Sequence, residues 1–260
     1  MSPPWKPTPA LRATLAIHAG AAVGCLIAPA TWPWALGALL INHAVITTAG
    51  LLPRSTLLGP NLTRLPAAAT ALREVAITID DGPDPEVTPQ VLDLLDAAGA
   101  KATFFCIGWR ARENPALLRE IVARGHQVEN HGDSHSKAFA FFGPGRMAAD
   151  IAAGQATLAA ITGQTPRYFR ATAGLRNPFL DPVLHRLGIR LAAWTRRPYD
   201  TAAAIRRRYW RAFAATSARA TSCSCTTATP RAQPTASRSS SPCCRACSPP
   251  CATNNSTPSR

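Results

Sequence analysis

The side chains able to do chemistry are concentrated in two short stretches, Asp80-Asp81-Gly82-Pro83 and Asn130-His131-Gly132-Asp133-Ser134-His135, with Arg170 closing a third, "RYFR". His131 and His135 are four residues apart, a separation that lets two imidazoles share one cation on a helical turn or a tight loop. A carboxylate added to that pair fills three coordination positions and leaves the others for water and substrate. Such an open site polarises a carbonyl and lowers the pKa of bound water. Neighbouring strand residues project to opposite faces, so Asp80 and Asp81 cannot play one role twice unless the strand twists or ends between them. The division suggests one metal ligand and one acid-base group. Each stretch also has a plain reading: Asp, Gly and Pro favour a turn, and two histidines near a strand end can be surface residues. Their appearance in order on successive strand ends is what favours a site.

The elements that must position these residues can be read from the pattern. "EVAITID" alternates Val75, Ile77 and Ile79 on one face and predicts a strand ending at the acids. Thr88, as N-cap, and Pro89 open a helix with Val91, Leu94, Leu95 and Ala98 at helical spacing, and Gly99 ends it. "KATFFCIG" is a buried strand, Asn114-Pro115 opens a helix running to Gly125, and "HQVEN" is a third strand. A helix from about Pro144 to Thr162 ends at Gly163; "RYFR", "LDPVLHRLG" and "IRLAAW" continue as strand, helix and strand. Repeated strand-helix units with short links imply a parallel sheet, either a barrel or an open doubly wound sheet, and both gather chemistry at the carboxyl ends of the strands.

In that order, "TIDDGPD", "NHGDSH" and "RATAG" resemble successive motifs of the polysaccharide deacetylases of carbohydrate esterase family 4, the NodB homology domain. The resemblance spans about residues 74 to 200. It implies a distorted (β/α) barrel and metal-dependent removal of N-acetyl groups from amino sugars of a glycan or glycolipid. It assigns Asp80 as the general base that activates water, Asp81, His131 and His135 as ligands of a zinc-like ion, with cobalt or nickel as alternatives, and Arg170 as the residue that orients Asp80. Asp200 would support Arg170, and Trp194 would pack nearby or meet substrate. The chain departs from the family's habit at Ile79, commonly Phe, at Gly132, commonly Ser or Thr, and at Thr172, commonly Pro; none of these removes a ligand.

The formal charge of +14 invites a nucleic-acid reading, but nine Arg follow Asp200, the last acidic residue, and subtracting them leaves +5 for residues 1–200. No basic-aromatic stripe accompanies that modest excess, so nucleic acid is set aside as a partner. Cysteine is just as uneven: only Cys25 and Cys106 precede residue 200, and no disulfide framework exists there. Cys106, in an apolar run, reads as a buried inert thiol.

From Ala13 to Trp32 and from Trp34 to Leu52 no residue carries a formal charge. Each run suits a bilayer crossing of about 20 residues, and a membrane hairpin turning at Pro33 fits best. Two rivals stand beside it: a signal sequence cleaved after Ala28-Pro29-Ala30, and a helical hairpin buried in a soluble protein. A hairpin would leave Lys6, Arg12, Arg54, Arg64 and Arg73 on one side and place the large domain in the cytoplasm, whereas a single anchor would place it outside. The expected chain is thus a hydrophobic membrane hairpin over 1–52, a linker over 53–73, a NodB-like domain over 74–205, incomplete at its C-terminal end, and a tail over 206–260. The predicted location is the cytoplasmic membrane of a bacterium.

The tail, which contains the run "TSCSCTTATPRAQPTASRSSSPCCRACSPP", has the composition of a disordered segment. The family requires a last strand ending in Leu-x-His, whose His acts as general acid toward the leaving amine. Written with the codons ACA-TCC-TGC-TCC-TGC-ACG-ACG-GCC for Thr221 to Ala228, and read one nucleotide earlier behind a G, the message gives Asp-Ile-Leu-Leu-Leu-His-Asp-Gly. The His falls where this chain has Thr226. Cys243, Cys244, Cys247 and Cys251 can each mask a Leu in the same frame, at spacings that suit an apolar helix face. A net loss of one base between about Pro198 and Thr221 accounts for the tail, against a disulfide or zinc reading of its cysteines.

Overall fold

The computed structural model describes residues 3–71, 74–196 and 222–226, the last as backbone only. Two apolar helices, α1 (Pro9–Ile27) and α2 (Trp32–Leu51), form an antiparallel hairpin joined by a short 3-10 turn at Pro29–Thr31. Thr8 caps α1, its hydroxyl accepting from Leu11 N–H, and Pro33 sits in the first turn of α2, where its missing donor costs nothing. A five-residue helix, α3 (Ala67–Ala71), follows.

Then strands and helices alternate: β1 (Ala76–Gly82), α4 (Thr88–Ala97), β2 (Ala102–Cys106), α5 (Gly108–Glu113), α6 (Pro115–Ala123), β3 (Gln127–Asn130), α7 (Pro144–Thr162), β4 (Tyr168–Phe169), α8 (Leu180–Leu187), β5 (Arg190–Leu191) and β6 (Ser222–Thr226). The strands form one sheet in the order β5-β4-β3-β2-β1-β6, all pairings parallel. A doubly wound sheet reverses its strand order at a switch point, whereas here five strands run consecutively and the sixth returns beside the first, as in a barrel. Among the described residues β5 and β6 do not pair, so the barrel is open on that side. The expected NodB-type α/β architecture, preceded by apolar helices, is the one observed.

Alternation along β1 decides which face does what. Ile77 and Ile79 face the helical layer and pack with Val91, Leu92 and Leu95 of α4 and Leu118 and Ile121 of α6, while Thr78 and Asp80 meet Arg170 on the other face. A second cluster joins Phe139, Met147 and Ile151 to Phe169, Leu180 and Leu184. Each such side chain stabilises the fold by about 1.5–3 kcal/mol through burial.

The hairpin is fastened to this body. Trp5 Nε1 donates to Asp181 Oδ2 at 2.7 Å and Thr8 Oγ1 to Leu57 O at 2.7 Å. The stretch expected as a linker is hydrogen-bonded to the sheet: Leu62 N donates to Leu191 O at 3.0 Å and Ala193 N to Leu62 O at 2.9 Å, a parallel bridge on the outer edge of β5.

Candidate metal centre and its neighbours

Arg170, which follows β4, is fully buried. Its Nη1 donates to Asp80 Oδ1 at 2.5 Å and to Thr78 Oγ1 at 2.9 Å; Nε and Nη2 reach the carbonyls of Ala192 and Ala193, each at 3.4 Å. A buried guanidinium has to be paired and hydrogen-bonded, and the ring of Phe105, 3.8 Å away, and that of Trp194, 5.7 Å away, complete its surroundings. Asp80 is therefore held in one position by a residue three strands away. Trp194 is buried against Arg170. Asp200 lies outside the described residues.

Asp81 escapes the alternation of its strand. Its φ is +66°, and the β1–β2 register is irregular between Asp80 and Gly82. A left-handed non-glycine residue costs about 1–2 kcal/mol and aims a side chain where an extended strand cannot. That backbone resolves the question posed by two adjacent acids, since the strand is kinked at Asp81, the alternation breaks there, and Asp81 joins the histidines. Its Oδ1 lies 3.2 Å from His131 Nε2 and 3.0 Å from His135 Nε2. The three ligand atoms fall within 4.8 Å of one another.

The donor set fits a divalent cation. His131 Nδ1 is 2.7 Å from the carbonyl of Arg170. In a neutral ring that contact assigns the proton to Nδ1, so the Nε2 lone pair faces a carboxylate oxygen. Two acceptors that close need a proton or a cation between them. Without metal the protons supply it: burial works against charging His131, but the Asp81 hydrogen bond, the charges of Asp80 and Asp81 and the Arg170 carbonyl outweigh it and raise its pKa. Burial likewise works against ionising Asp81, and the two histidines outweigh it, holding the carboxyl well below its usual range. Cys106 behaves as expected, buried and with its thiol pushed far up by burial and by the charge of Asp80.

Several supporting residues carry no signal in the sequence. Asn130 accepts from Gly132 N at 2.7 Å and donates to Ile151 O at 2.9 Å, pinning the start of the histidine loop to α7. Asp150, also on α7, accepts from Ser134 N at 2.9 Å. Gly132 has φ +83°, and a Cβ there would stand 2.7 Å from Asp150 Oδ2. Arg110 Nη1 donates to Asp81 O at 2.7 Å and pairs with Asp84 at 3.6 Å. Thr88, expected as the N-cap, is the first residue of α4; the cap position is Val87, with no side-chain cap bond. In the turn before it Asp84 Oδ1 accepts from Glu86 N and Val87 N at 3.0 Å, while the Thr88 hydroxyl accepts from Asp84 N. Only Asn130 and Asp84 could have been suspected, as polar residues flanking the motifs.

Residues 67–192 match the family model of polysaccharide deacetylases. This stretch is a polysaccharide deacetylase domain. Over 142 residues it is 34% identical to a chitooligosaccharide deacetylase of Sinorhizobium fredii, covering 54% of this chain and 65% of that protein. Its fold is similar to that of a solved peptidoglycan N-acetylglucosamine deacetylase, with a TM-score of 0.57 and 25% identity over 64% of this chain and 76% of that one. A family 4 acetyl xylan esterase from Clostridium thermocellum, solved with a cobalt ion, gives a TM-score of 0.53 and 29% identity over 62% and 77%. The chain spans between 29% and 65% of the lengths of the first curated relatives it matches.

Proposed function

We propose that this chain is, by its deacetylase domain, a metal-dependent hydrolase that removes N-acetyl groups from amino sugars, with Asp81, His131 and His135 as ligands and Asp80 as general base. The observation that carries the reading is the Asp81 carboxylate between two imidazoles, directly beside a second carboxylate fixed by a buried arginine. A zinc-like ion held by those three residues would supply Lewis-acid polarisation of the acetyl carbonyl and of the attacking water. Asp80 takes the proton of that water as the oxygen adds to the carbonyl carbon. Arg170 keeps its carboxylate in line, and Trp194 packs beside Arg170. When the C–N bond breaks, acetate leaves and the amine takes up a proton. The activities for which the relatives are named, on chitooligosaccharides and on peptidoglycan, support an N-acetylated glycan substrate, and the cobalt ion of the esterase supports an ion of this class.

A second reading, metal or sugar binding without turnover, is favoured by β6. In the β1–β6 register Thr226 is the partner of Asp80, and threonine offers no proton near neutral pH. Ser222–Thr226 is also the stretch that synonymous codons can encode so that the frame one nucleotide earlier reads Ile-Leu-Leu-Leu-His, which is compatible with the proposal that residues after about 205 are out of frame and that the general acid is missing from this chain. Acetate release from triacetylchitotriose by the purified, zinc-loaded protein decides between the readings. Release lost in Asp80→Asn supports hydrolysis, and zinc binding with no acetate supports the second. Sequencing independent DNA across codons 195–230 tests the frame, and an unchanged sequence there rejects a reading error.

A further inference from the structure

The hairpin and the metal centre share one end of the molecule. At 1.5 Å per residue, α1 and α2 are about 28–30 Å long, the thickness of a bilayer's hydrocarbon core. Leu15, Val23, Leu26, Trp34, Leu40 and Ile41 are exposed along them, and only 6% and 17% of their apolar windows are buried. Helices so bare of protein cover are not core helices. The bond of Trp5 and Thr8 to the body, before α1, ties both ends of the hairpin to one place and sets it apart from a leader to be cut away.

That place lies on the catalytic face. Arg176 N donates to Gly50 O at 3.2 Å, and the chains approach so closely that a Cβ on Gly50 would stand 2.2 Å from Arg176 O. Pro53 lies against Gly174, Arg54 Nη1 reaches Thr195 O at 3.5 Å, and Trp5 holds Asp181. Gly174, Arg176 and Asp181 follow β4, and Thr195 follows β5. In a βα array, loops after strands and the amino ends of the next helices occupy the face at the carboxyl ends of the strands. Asp80, Asp81 and His131 are on that face. A line of neighbours runs from Pro53 by way of Gly174 and Trp194 to Arg170 and Asp80.

We propose, on the basis of the deacetylase reading above, that the hairpin spans the membrane, holds the site against the bilayer surface, and that the substrate is an amino sugar carried by a lipid of the same membrane. A sugar confined to the surface is presented at a far higher effective concentration than a soluble oligosaccharide of equal bulk concentration.

The test uses the full chain reconstituted with zinc in phosphatidylcholine–phosphatidylglycerol vesicles. Acetate release is compared between a long-chain alkyl N-acetylglucosaminide placed in those vesicles and triacetylchitotriose in solution. The lipid-borne sugar is expected to react at least about tenfold faster, and Gly50→Val, which wedges the hairpin off Arg176, should lose that preference while keeping its rate on the soluble sugar. Equal rates on both sugars overturn the proposal and leave the deacetylase reading intact; no acetate from either overturns both. Placement is read without turnover from a fluorophore coupled to the azide of Ala173→p-azidophenylalanine, which leaves the eight native cysteines unlabelled, at an exposed position three residues past Arg170. Quenching by headgroup-nitroxide lipids is expected, and a fluorophore that such lipids do not quench overturns the proposal even if the Gly50 variant fails to fold.

Discussion

The two flanks of β1 are unequally furnished. Toward β2 and β3 the chain brings together the three proposed ligands, Asp81 with His131 and His135, and the loop that carries the histidines is tied down by Asn130 and Asp150. Toward β6 the backbone pairs in register as far as Asp80, yet the residue opposite is Thr226. Backbone hydrogen bonding needs no particular side chain, so a strand can take its place in a sheet with the wrong residues. Metal chemistry depends on side chains alone. On the proposed reading, the chain keeps the metal-binding half of the site, while the half beside β6 is present only as main chain.

Adding a proton donor puts the inequality of the flanks to its severest test. Thr226→His should raise acetate release by about 10²–10⁴-fold with bound metal unchanged; an unaltered rate in a folded variant means the β6 flank is not where the amine is protonated. On the other flank, Asp81→Ala should lower zinc affinity by at least about a hundredfold, measured by competition with a chromogenic chelator, and retained affinity would remove Asp81 from the ligand set. Asp150→Ala should weaken zinc by about tenfold through the slackened loop, and Asp150→Asn, whose amide oxygen can still accept from Ser134 N, should recover most of it.

The smallest effect is in pH. Asp81's folded pKa is lowered, so in metal-free protein its contribution to stability is present above the unfolded value, about 4, and fades as pH falls through the folded one. His131's is raised, so its contribution is complete below about 6.5 and is lost as pH rises through the folded value. The metal-free melting temperature should therefore be highest between about pH 4 and 6.5 as far as this pair decides it. Zinc, which needs neutral imidazoles, should widen the gap above that range, and Asp81→Ala should flatten both trends.

Much of this was written in the sequence, for reasons that can be named. Strand and helix alternation, Gly163 as a left-handed terminator at φ +71°, and the four-residue histidine spacing all follow from local periodicity or local stereochemistry. The turn of Asp81 to positive φ was hidden, because its sequence signature is merely that of a turn. Arg110 and Asp150 were illegible for another reason: each acts across 16 or more residues, on Asp81 O and Ser134 N, and nothing in an isolated Arg or Asp announces a distant backbone partner. The bridge from Leu62 to Ala192 was likewise invisible, since it joins two stretches with no shared pattern.

Arg170 meets both flanks with different parts of itself. Its guanidinium fixes Asp80, while its main-chain carbonyl fixes the tautomer of His131. Substituting the side chain removes the first contact and leaves the second in place, so mutagenesis sees only half of what this residue does. A shift of its backbone moves both at once. Energetic coupling between Asp80 and His131, measured in a double-mutant cycle, should therefore shrink when Arg170 is replaced by Met even though the carbonyl contact to His131 survives, and loosening the strand beneath it, as by Phe169→Gly, should weaken both contacts together.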